Sequence, residues 1–185
     1  MNKSKCFFII SLLFLISFLS KAQYSQPTQS VFVELGGPAI VYSFNYDFRF
    51  DKENLQSWGM RVGVGGYARS YSYNAGTESD GLFTIPLQVT RLFGRTKHFF
   101  ELGGGATFIY ARSTSNYGSN QFSSKEYDFI LNSGETPTFM GTLNLGYRKI
   151  PENGGFTFRA NLTPVFNQNG FWPIWAGVGF GYAFH

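Results

Sequence analysis

Residues 44–50 read Phe44-Asn45-Tyr46-Asp47-Phe48-Arg49-Phe50, four aromatic rings alternating with polar or charged side chains. Period two is the repeat of a β-strand, whose successive side chains point to opposite faces. The segment therefore has one aromatic face and one face of Asn45, Asp47 and Arg49.

The same alternation runs outward through the chain. Trp58, Met60, Val62 and Val64 oppose Gly59, Arg61, Gly63 and Gly65, and Phe83, Ile85, Leu87 and Val89 oppose Thr84, Pro86, Gln88 and Thr90. Phe100, Leu102, Phe108 and Tyr110 oppose Glu101, Gly103, Gly105 and Thr107; Phe139, Leu143, Leu145 and Tyr147 oppose Thr142, Asn144 and Arg148. Phe156, Phe158, Ala160 and Leu162 oppose Thr157, Arg159, Asn161 and Thr163, and the chain closes with Val178, Phe180, Tyr182 and Phe184 against Gly177, Gly179 and Gly181. No helical period of comparable length interrupts them.

Breaks at clusters of turn-forming residues give eight strands: Thr28 to Gly37, Ala39 to Phe50, Trp58 to Ser72, Leu82 to Phe93, His98 to Arg112, Pro137 to Lys149, Phe156 to Phe166 and Pro173 to Phe184. Soluble strands run about 5–6 residues and membrane-spanning ones about 9–11, so these have spanning lengths. The Gly36-Gly37-Pro38 break is either a tight turn or a kink in one long strand, and the even strand count of bacterial barrels favours the turn. The expected fold is all-β, a transmembrane antiparallel up-and-down barrel of eight strands. The connections 51–57, 94–97 and 150–155 are short, whereas 73–81 and 113–136 are longer, although 167–172 on that rim has only 6 residues; the alternation is that of periplasmic turns and extracellular loops.

Alternation does not say which face points outward, since a secreted lipocalin-like barrel buries its apolar face and a membrane barrel displays it. Lys52, Lys97, Lys125 and Lys149 all sit in connections or at a strand end, and the polar face is mostly Gly, Ser, Thr and Asn. Aromatic residues gather at both strand ends, with Phe48, Phe50, Trp58, Phe93, Phe156, Tyr182 and Phe184 at the short-turn rim. Tyr71, Phe83, Tyr110, Phe166, Phe171 and Trp172 are read as the opposite girdle. Two such girdles mark lipid on the apolar side.

The N-terminus carries an export signal in its pattern. Lys3 and Lys5 precede an apolar run from Phe7 to Leu19, and Ser20-Lys21-Ala22 supplies small residues for cleavage before Gln23. Residues 1–22 are thus read as a signal peptide and 23–185 as one barrel domain. Removing Lys3, Lys5 and Lys21 takes the net charge from +4 to +1 and Cys6 leaves too, so a disulfide framework is excluded and nucleic acid is not an expected partner.

On these features the chain resembles the small outer-membrane β-barrel proteins of the OmpA-transmembrane and OmpX-like group, most closely the short barrels of Bacteroidota. The resemblance rests on the signal peptide pattern, on Glu34-Leu35-Gly36-Gly37 echoed by Glu101-Leu102-Gly103-Gly104-Gly105, on the 45–50 segment, and on Gly179-Phe180-Gly181-Tyr182-Ala183-Phe184. It implies residence in a Gram-negative outer membrane among lipid and lipopolysaccharide, and assembly by the insertion machinery that reads an aromatic-ended last strand. Here His185 follows the terminal Phe184.

On the polar face Glu34, Asp47, Arg61, Glu101 and Arg159 lie at similar depth, about three to five residues from the short-turn end. Isolated ions in a barrel interior carry a heavy desolvation cost, so they are expected to pair into one network. That network either plugs and rigidifies the lumen or rearranges as the gate of a narrow pore. Lipid-modifying chemistry would need Ser, His and carboxylate together near the outer leaflet. His98 and His185 both fall at the opposite rim, and no cofactor or metal site is expected. The glycine runs 63–66 and 103–105 lie within strands, where they relieve crowding instead of cradling phosphate. The 113–136 segment, with Tyr117, Phe122, Tyr127 and Phe129 among Asn, Ser and Gly, is either a flexible surface loop without a ligand or the place where a host or cell-surface ligand would bind.

Overall fold

The computed structural model describes residues 26–73, 76–117, 120–127 and 134–185; the expected signal peptide and Phe129 lie outside the described residues. The strands are β1 (Gln29–Gly36), β2 (Tyr42–Arg49), β3 (Trp58–Tyr73), β4 (Gly76–Arg95), β5 (His98–Tyr117), β6 (Asn120–Ser124) and β7 (Glu126–Tyr127). They continue with β8 (Gly134–Glu135), β9 (Thr138–Lys149), β10 (Gly155–Leu162), β11 (Val165–Asn167), β12 (Gly170–Trp172) and β13 (Ala176–Phe184).

Eight of these form an antiparallel ring in the order β1-β2-β3-β4-β5-β9-β10-β13, closed by the pairing of β13 with β1 from Gln29 opposite Phe184 to Gly36 opposite Gly177. Full closure leaves no free edge in the barrel wall.

Several boundaries differ from the sequence reading, among them the start of β2 at Tyr42 and not Ala39, because Gly37–Ala39 turn inward. Residues 76–81 and 113–117, expected in loops, are strand: β3, β4 and β5 continue side by side past the barrel, and β6 adds to them through Ser113–Ser124 and Tyr117–Asn120. Ladder pairing overrides the turn preference of Gly76, Asp80 and Gly81, because strand propensity depends on neighbours. The expected strand 156–166 is broken at Thr163-Pro164, where proline has no N–H to donate; the wall resumes as β11 opposite Thr142 and Gly141. The last strand starts at Ala176, not Pro173.

Gly36-Gly37-Pro38 is a turn, and it points inward. Gly37–Ala39 make one 3₁₀ turn whose residues are all buried. It is tied down by Thr107 Oγ1 donating to the Pro38 carbonyl at 2.7 Å and Trp175 Nε1 donating to the Gly37 carbonyl at 2.9 Å. Ile40 then fills an apolar tier with Leu82, Ile109, Ala111, Met140 and Val165. A second apolar tier of Leu55, Leu92, Phe99, Ile150 and Ala183 closes the short-turn end. The polar residues lie between the two.

Candidate functional site

The middle tier is a sealed ionic layer. Among the described residues it holds Arg49, Arg61, Arg148 and Arg159 with Glu34, Asp47 and Glu101, all essentially inaccessible. Strand alternation places them there: each lies on the polar face of its strand, and closure of the ring turns that face inward.

Two clusters are visible. Nearer the long-loop end, the Arg61 guanidinium pairs with Glu34, while its Nε donates to Asn45 Oδ1 at 3.1 Å and its Nη1 to Gln88 Oε1 at 3.3 Å. Gln88 in turn donates to Thr142 Oγ1 at 3.0 Å, and Asn161 Nδ2 donates to Glu34 Oε1 at 3.2 Å. Nearer the short turns, Arg159 pairs with both oxygens of Glu101, and Arg148 bridges Asp47 at 3.0 Å and Glu101 at 3.9 Å. Arg49 completes the layer, donating to Asp47 Oδ1 at 2.8 Å and Thr90 Oγ1 at 2.9 Å. Phe32 sits between the clusters, with the Arg159 guanidinium 4.2 Å and the Arg61 guanidinium 4.9 Å from its ring centroid. A ring face attracts cations, so Phe32 links two like charges that would otherwise repel.

Glycine makes room for these long side chains. A Cβ at Gly59 would stand 2.3 Å from Arg49 Cζ. At Gly37, where φ is +65°, a Cβ would lie 2.7 Å from the Glu34 carboxyl carbon, so the inward turn rests directly on the ionic layer.

All five residues picked out in the sequence therefore lie in this layer, Glu34 and Arg61 in one cluster and Asp47, Glu101 and Arg159 in the other. The sequence reading left out Arg49, Arg148 and Phe32. Arg49 and Arg148 share the face of Asp47 and Asn144, a parity readable from the sequence; how far an arginine reaches across the lumen is not. Phe32 carried no polar signal and breaks the expected composition of its face.

Of the loop aromatics, Tyr117 ends β5 and Phe122 lies on β6, both exposed; Tyr127 belongs to β7. Register places Tyr71, Glu78, Ser115 and Phe122 in one cross-strand row on one face of the protruding sheet. Tyr71 is thus not part of a lipid-facing girdle: it shares the face of Tyr67, which packs against the lumen's apolar tier. Tyr71 stands an odd number of residues from the outward Val64, which puts it on the other face of the strand. His98 lies at the short-turn rim with its Nδ1 2.7 Å from the Tyr147 hydroxyl.

No family model and no curated protein matches the chain. Among solved structures, the N-terminal β-barrel domain of Pseudomonas aeruginosa OprF is similar, at 16% identity and a TM-score of 0.48, covering 88% of this chain and 100% of that one.

Proposed function

We propose that the protein is an integral outer-membrane β-barrel without catalytic activity, closed to solute flow, that carries a protruding sheet for surface contacts. The observation behind this reading is the inverted wall. Val31, Val33, Phe44, Val64, Leu87, Val89, Leu102 and Phe180 are all exposed, while three carboxylates and four guanidiniums are sealed inside. A soluble barrel with that exterior would show water a far larger apolar surface than monomers tolerate.

The belt has a bilayer's height. From Phe83 to Phe93 the outward face of β4 spans ten residue steps, which at about 3.4 Å per step and about 40° of tilt is about 26 Å, against about 25 Å for such belts. Arg91 is the one charge on that stretch, and it lies over the rings of Trp58 and Phe93 at the short-turn rim, where an interface would fall. The two apolar tiers above and below the ionic layer support a plugged lumen over a gated pore.

The deciding experiment is outer-membrane fractionation combined with gel mobility before and after heating. A heat-modifiable band in that fraction is expected; a soluble, non-modifiable protein would instead support the lipocalin-like reading. Planar-bilayer recording of the purified barrel is expected to be silent, and discrete conductance steps would favour the pore. Replacing residues 114–123 by a Gly/Ser linker should lower adhesion to host surfaces without altering heat-modifiability.

A further inference from the structure

The outer face of β1 is a valley between aromatic walls. Register sets Val31 between Tyr46 of β2 and Tyr182 of β13, and Val33 between Phe44 and Phe180. Gln29, one outward position nearer the short-turn rim, lies between Phe48 and Phe184. Adjacent strands stand about 4.7–4.9 Å apart, so the walls rise from backbones about 9–10 Å apart with a valine floor between them. The apolar depression here, of about 690 Å³, is wider than the valley itself: it also takes in Val62 and Val64 of β3, on the far side of the Phe44 and Tyr46 wall. Its volume is well within the range of about 300–1,000 Å³ of small-molecule sites.

At the rim the groove changes character. The Tyr46 hydroxyl donates to Gln29 Oε1 at 2.5 Å, and both residues also line an adjoining cavity of about 200 Å³ that reaches Lys52. Arg49 also lines that cavity, but its guanidinium is buried in the lumen on Asp47 and Thr90, whereas Lys52 is exposed with no hydrogen bond or ion pair among the described residues. A long apolar slot thus ends in a phenol–amide pair and an uncommitted ammonium.

We propose that this groove is a binding site for one glycerophospholipid of the inner leaflet, an acyl chain lying along Val31 and Val33 and the phosphate meeting Lys52. The proposal rests on the membrane reading above. Charge and polarity favour this occupant: the slot is apolar at bilayer depth, and the one uncommitted cation among the described residues lining its rim, Lys52, stands where a headgroup phosphate would be, on a stem long enough to reach it. A second copy of the chain fits less well, because a two-fold contact sets the same patch against itself and would leave concave floor facing concave floor.

The test is native mass spectrometry of the folded protein released from detergent micelles after incubation with palmitoyl-oleoyl phosphatidylglycerol. One retained lipid per barrel is expected. Val33→Trp, which fills the slot, should lower the retained fraction about tenfold, whereas Leu143→Trp on another part of the exposed wall should not change it. Lys52→Glu should weaken retention of phosphatidylglycerol and spare diacylglycerol, which lacks the phosphate. Equal retention by the wild type and Val33→Trp, or a protein dimer in place of the lipid adduct, would overturn the proposal. Heat-modifiable mobility of each variant shows that it folds. A protein that fractionates with the outer membrane yet retains no lipid overturns this site alone; one that fails to fractionate overturns the membrane reading beneath it.

Discussion

Arg61 shows what the ionic layer asks of a single residue. Its guanidinium meets Glu34, Asn45 and Gln88 at once and lies against the Phe32 ring, with none of its surface open to water. Removing one partner of a buried pair leaves the other charged and unpaired, so Arg61→Gln is expected to destabilise the barrel by about 3–5 kcal/mol, read from urea unfolding in lipid vesicles. The double variant Glu34→Gln/Arg61→Gln removes both charges and should lose clearly less than the two single changes added together. Additive losses would mean that the two side chains do not act as a pair. Salt should change these differences little, because buried pairs are poorly screened.

At the scale of the element, the inward turn between β1 and β2 is the least ordinary piece of the fold. It satisfies its carbonyls on the barrel wall, through Thr107, Trp175 and Thr84. Trp175→Phe removes one of these donors and is expected to cost about 0.5–1.5 kcal/mol. Gly37→Ala should cost more, since it combines a positive φ with a Cβ pressed on the Glu34 carboxylate. Hydrogen exchange of the Gly36 amide, bonded to the Val41 carbonyl at 2.7 Å, reports both and should rank them in that order. If Gly37→Ala exchanged like the wild type, the turn would not be seated on the ionic layer. The sequence announced a break at Gly36-Gly37-Pro38 but not its direction, because inward placement depends on hydroxyls at Thr84 and Thr107, on strands that alternation alone cannot bring to the same height. The protruding sheet was hidden for a related reason. Gly76, Asp80 and Gly81 look like loop in isolation, and only pairing with β3 and β5 on both sides makes them strand.

For the whole molecule, the eight-fold alternation was legible because period two is a property of each strand taken alone, and the polar residues at shared depth followed from counting along it. What counting could not supply was cross-lumen reach, which brings Arg148 of β9 to Asp47 of β2. The inversion of the wall can be tested at two neighbouring positions. Leu87 faces out and Gln88 faces in, one residue apart near the middle of the β4 belt. In a bilayer, Leu87→Arg places a charge against hydrocarbon and is expected to cost about 2–4 kcal/mol. On a water-exposed surface the same change would fall within about 0.5 kcal/mol of zero. Gln88→Leu strips Arg61 and Thr142 of a partner and should cost about 1–3 kcal/mol through those unsatisfied groups. A barrel with an apolar core and a wet exterior would show neither loss, tolerating the arginine and welcoming the leucine. Urea unfolding of both variants in vesicles decides between them: large losses at both positions require lipid outside and a polar layer within.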